Sequence, residues 1–159
     1  MTRRGVLILA LLVLTGCVRY VPVTPRFPVR VEMEGLGPLT AALVESTKRP
    51  LTAAELPEYH RAGTRWDYTV RFTNPGRVGV RLAEVLITLR SLNWAETVER
   101  VPLPSRVEPD GVTPIAIRAA LSTSEPDNPA NLTGVQELTF RGWADDGSPL
   151  RIVIRVPLE

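Results

Sequence analysis

The sequence predicts an all-β chain, an antiparallel sandwich of about seven strands. Three observations carry that expectation. Short runs alternate apolar and polar residues with a period of two. Fifteen prolines and eleven glycines punctuate them at turn-like intervals. Long runs of helical periodicity are absent.

Taken in order, the strands begin at residues 29–34, where Val29, Val31 and Met33 alternate with Arg30, Glu32 and Glu34. Residues 35–51 are ambiguous by pattern. Thr52-Ala-Ala-Glu55 has the spacing of a capping box and predicts one helical turn, which Pro57 soon restricts. From Thr64 the pattern sharpens: Trp66, Tyr68, Val70 and Phe72 share one face against Asp67, Thr69, Arg71 and Thr73. Asn74-Pro75-Gly76-Arg77 places proline and glycine where a type II turn wants them. Val78, Val80 and Leu82 continue as a strand, but the apolar parity changes before Val85, Ile87 and Leu89. A β-bulge near Ala83-Glu84 absorbs the change, letting the strand bend or pass between sheets. Further strands are expected at residues 97–103, 112–121, 136–143 and 150–158, with a strong hairpin signal in Asp145-Asp146-Gly147-Ser148.

The first sixteen residues have a different character. Arg3 and Arg4 precede an apolar run from Val6 to Leu14, then Thr15 and Gly16. This is the layout of a cleaved secretory signal, and it is far short of the roughly 20 residues a spanning helix needs. Leu14-Thr15-Gly16-Cys17 resembles a bacterial lipobox. The resemblance implies that Cys17 is lipidated and becomes the mature N-terminus, anchored in a membrane by more than one acyl chain. Val18 in place of an aspartate implies, for a Gram-negative source, the outer membrane facing the periplasm. Residues 17–28, with three prolines, read as an extended tether, and residues 29–159 as the sandwich domain, clearest over 64–158.

Removing the first 16 of 159 residues leaves 143, enough for one domain. The 19 basic side chains fall to 17 with Arg3 and Arg4, matching 17 acids, so the apparent basicity belongs to the signal. The electrostatic footprint of a nucleic-acid partner is therefore missing. Cys17 is the lone cysteine, so no disulfide joins two parts of the chain.

Two family resemblances follow. Trp66 to Leu89, Val107-Glu-Pro-Asp-Gly111 and Phe140-Arg-Gly-Trp-Ala-Asp-Asp-Gly147 resemble bacterial immunoglobulin-like or fibronectin-III-like domains of surface proteins. Phe140, Gly142 and Gly147 fit their closing hairpin, with Asp145 or Asp146 displaced by one or two places. Phe72-Thr-Asn74-Pro75 also resembles the late-embryogenesis-abundant type 2, or water-stress, domain. Both resemblances imply a sandwich and neither implies a ligand.

Residues with chemical potential are few. His60 is the single histidine and sits in a polar stretch, Pro-Glu-Tyr-His-Arg-Ala-Gly, so a surface role is expected. The Cys and His cluster that zinc requires is absent from the sequence. Asp145 and Asp146, with Asp110 or Asp127, are candidates for calcium, though Asp-Gly beside Ser serves a hairpin without metal. Asn131-Leu-Thr133 has the form of a glycosylation sequon but reads as plain loop. Trp66 is expected in the core. Trp94, at a strand end, and Trp143, read as breaking the alternation outward after Gly142, are the possible binding residues, with partial burial under a loop as the plainer alternative.

The expected function is that of a non-enzymatic, membrane-anchored envelope lipoprotein that contacts another protein, with no catalytic residues and no cofactor. The alternatives are a small-ligand or carbohydrate-binding lipoprotein, which requires a pocket lined by a tryptophan, and a water-stress-type domain.

Overall fold

In a computed structural model, residues 30–34, 39–91, 94–124 and 133–158 are described, those of 30–34 by backbone pairing. They form eight strands: β1 (Arg30–Glu34), β2 (Thr40–Pro50), β3 (Ala62–Asn74), β4 (Val80–Ser91), β5 (Trp94–Val107), β6 (Gly111–Thr123), β7 (Gly134–Ala144) and β8 (Pro149–Pro157). One sheet has the order β1-β8-β7-β4-β5 and the other β2-β3-β6, every pairing antiparallel. The all-β sandwich is as expected, and the arrangement is compatible with an immunoglobulin-like domain.

The core forms where the inner faces of the two sheets meet. Trp66, Tyr68, Val70 and Phe72 of β3 are buried, as are Ile115 and Ile117 of β6. Opposite them lie Val85, Ile87 and Leu89 of β4, Leu138 and Phe140 of β7, and Ile152 and Ile154 of β8. Phe72 and Phe140 meet edge-to-face across the sandwich at 4.9 Å, a geometry that contributes about 0.5–1.5 kcal/mol beyond burial. The Tyr68 hydroxyl also crosses, donating to Gln136 Oε1. That buried bond fixes the relative slide of the sheets and satisfies two groups that would otherwise be costly.

The bulge lies where the parity change placed it. Leu82 faces Gly142 and Glu84 faces Arg141, leaving Ala83 unpaired. Leu82 and Val85 thereby both reach the core, and β4 stays within one sheet. The β7–β8 hairpin also closes as expected: Ala144 and Ser148 pair, and Gly147 takes φ +86° in the left-handed region.

One expectation needs correction, and two stretches are sharpened. The ambiguous stretch contains β2, which pairs with β3 along ten residue pairs and shifts register between Leu43 and Glu45. Residues 52–56 make the single turn expected, the Leu56 amide donating to the Thr52 carbonyl at 3.2 Å, and the capping-box contact is present: the Thr52 amide donates to Glu55 Oε2 at 3.0 Å. Asn74-Pro75-Gly76-Arg77 is not a type II turn, because Gly76 does not have positive φ. Instead the Gly76 amide donates to Asn74 Oδ1, while Asn74 Nδ2 donates to the carbonyls of Val78 and Glu108. The buried asparagine side chain stands in for a backbone turn and carries the chain from one sheet to the other. The following strand therefore starts at Val80, and Val78 is exposed.

Candidate interaction site

β5 and β6 are joined by a turn at Glu108–Gly111 and run back antiparallel, yet they belong to different sheets. They are a hairpin pulled open. At its closed end Thr113 Oγ1 donates to the Arg106 carbonyl. Towards the other end they part into their two sheets, and among the described residues each is the edge strand of its own sheet.

The opening is a groove of about 510 Å³. Tyr68, Ile117, Val101 and Leu103 supply its apolar lining, and Glu45, Asp67, Glu99 and Arg118 its charge. Beyond it lies a smaller cleft of about 130 Å³ beside Trp66, Leu89, Ala119 and Gln136. The Trp66 indole N–H is buried there and has no hydrogen-bond partner among the described residues.

Pro114 indicates which backbone groups of β6 face the groove. A proline has no amide hydrogen and belongs where none is needed for the ladder. The Thr123 carbonyl, on the opposite parity, accepts from the Arg61 amide just before β3. Amide and carbonyl direction alternates along a strand, so Ala116, Arg118 and Ala120 point theirs away from β3, as Pro114 does. All four residues are exposed.

The outer face of the three-stranded sheet is braced by ion pairs. Arg49 grips Glu55 with both terminal nitrogens; Arg65 joins Glu55 at 3.1 Å and Asp67 at 2.7 Å. Arg118 Nε reaches Asp67 at 3.4 Å. Asp67 is therefore already answered, whereas Glu45 and Glu99 make no ion pair with a described residue. Glu45 only accepts a hydrogen bond, from Thr69 at 3.3 Å.

The residues singled out from sequence are scattered. Cys17, Asp127 and Asn131 lie outside the described residues, as does the side chain of Trp94, whose backbone opens β5. Trp66 is in the core as expected. Trp143 is 47% exposed. It faces outward by keeping the alternation of β7, not by breaking it, between Arg81 and Pro149 on neighbouring strands.

His60, expected at the surface, has a hydrogen-bond partner. It is half-buried, with Nδ1 2.7 Å from Ser122 Oγ. Among the described residues no carboxylate bonds its second ring nitrogen, and neither His60 nor Ser122 lines the groove or the cleft. Asp145 is held by Arg106 through two bonds of 2.8 and 2.6 Å, with Arg81 at 3.5 Å. The Arg106 bonds, first, and the Arg81 charge hold its carboxyl below the usual range. Asp146 accepts from the Ser148 amide. Both carboxylates thus have structural employment in the hairpin, and the described residues hold no cluster of three metal-ligating side chains. Nor do they hold a helix long and apolar enough to cross a membrane.

No family model matches the chain, and no curated protein matches it. Among solved structures, it is similar to the X-ray structure of the Northeast Structural Genomics Consortium target SoR45, at 14% identity and a TM-score of 0.49. That match covers 82% of this chain and 84% of the other. It is also similar to the putative ApaA protein from Bordetella pertussis, at 13% identity and a TM-score of 0.41, covering 83% and 90%. Both scores are below 0.5, and the sandwich assignment rests on strand pairing alone.

Proposed function

We propose that the chain is a lipid-anchored envelope protein whose immunoglobulin-like sandwich binds a protein partner, without catalysis, along the opening between β5 and β6. One observation carries the reading: two sheet edges that are unpaired among the described residues border the same groove, which has an apolar lining. Free edges are the surfaces through which sheets accept a further strand, main-chain hydrogen bonds giving affinity and side-chain pockets giving specificity. The competing small-ligand reading asks for a tryptophan in a pocket. The Trp66 cleft supplies one, but at about 130 Å³ it falls below the roughly 300–1,000 Å³ of ligand sites.

The anchor and the contact surface are tested separately. Cys17→Ser should move the protein from the membrane to the soluble fraction; continued membrane retention would sink the lipid anchor. A photo-crosslinking residue placed at Ala116 in cells should give discrete adducts with one protein. The same residue at Val44, exposed on the far strand β2, should not. Equal adducts from both positions, or none from Ala116, would count against the groove.

A further inference from the structure

We infer that the occupant of the groove is an extended, cationic peptide segment, rich in alternating apolar and Lys or Arg residues, which pairs with β6 as a fourth strand of the smaller sheet. The inference rests on the proposed reading of the groove and names its partner class.

Geometry supports the strand. The outward amides of Ala116, Arg118 and Ala120 recur at alternate positions, the repeat an incoming β-strand presents. Beyond the Thr113–Arg106 contact the groove of about 510 Å³ runs beside Ala116, Ile117 and Arg118, the place where a strand would lie along β6. One set of its side chains then points between the sheets, apolar where it meets Tyr68, Val101, Leu103 and Ile117 and cationic beside Glu99, which shares that face of β5.

Charge supports the cation. Three carboxylates line the groove against one guanidinium, Arg118. Arg118 is committed to Asp67, which Arg65 also holds. Glu45 and Glu99 remain without a cationic partner among the described residues. A basic segment is drawn to them, while an acidic one meets uncompensated like charge. A second copy of this chain fits less well, since its own β6 would bring only Arg118 to two such carboxylates.

The test uses the full-length chain and two fluorescent seven-residue peptides, one alternating valine with lysine and one alternating valine with glutamate. Fluorescence anisotropy should show binding of the lysine peptide alone, weakening as salt is raised. Ala116→Pro removes an outward amide while sparing the ladder to β3, as Pro114 already does. It should weaken the lysine peptide about tenfold, the effect of losing a main-chain bond and its alignment. Glu99→Lys should weaken it comparably and leave the melting temperature unchanged, which separates lost binding from lost folding. Equal binding of the two peptides, with Ala116→Pro abolishing both, would overturn the cationic partner and keep the groove. Lysine-peptide binding that Ala116→Pro leaves untouched would overturn strand addition itself. Dimerisation in sedimentation that Ala116→Pro abolishes would assign the edge to a second copy and overturn the peptide.

Discussion

A Cβ added at residue 142 would sit 1.9 Å from the Arg81 carbonyl oxygen and 3.0 Å from the Leu82 Cα. The neighbours are backbone and cannot swing away, so a side chain here would have to push β7 off β4. The crowding arises where the bulge leaves Ala83 unpaired and presses Leu82 towards β7. Gly142→Ala is expected to destabilise the fold by about 1–3 kcal/mol, the range for overpacking. A urea titration showing an unchanged midpoint would contradict this. The sequence marks Gly142 only as part of a turn-like motif, because its real constraint comes from a bulge sixty residues away. Trp66 is the opposite case: alternation alone places it, since its neighbours Tyr68, Val70 and Phe72 all face the same way.

At the scale of elements, the turn after β2 is tied to the sheet through Glu55. Its carboxyl is held well below the usual carboxylate range, first by the hydrogen bond from Arg49 and then by the Thr52 amide. A folded-state value below the unfolded one means that folding favours the ionised form. The contribution is therefore complete above the unfolded value of about 4.3, and is lost as pH falls through the lower folded value. Glu55→Gln should lower stability at pH 7 and flatten the acid limb of a stability profile. An acid limb identical to that of the unsubstituted chain would refute the assignment. β2 itself was illegible for a physical reason. It is an edge strand whose residues are mostly half-buried, and its register shift at Leu43–Glu45 erases any steady alternation. The edges β5 and β6 carry a legible mark. Pro102, Pro104 and Pro114 fall within these strands, and proline inside a strand signals an edge. What the chain pattern alone does not supply is that the two edges face one another, because that depends on which sheet each strand joins.

At the scale of the molecule, β1 pairs with β8, so that Arg30 stands opposite Arg155. Three of the pairings, β1–β8, β3–β6 and β4–β7, join strands distant in sequence. Non-local pairing slows folding because loop closure must precede the contacts that reward it. Refolding from urea in a stopped-flow instrument is expected on the millisecond-to-second scale, and microsecond relaxation would be at odds with this topology.

The same pairing sets an order in time. A ribosome delivers β1 well before β8, so β1 must wait, unpaired, until residues 149–157 have been made. The nine-residue β8 is thus the latch for β1, while β2 to β7 can already pair among themselves.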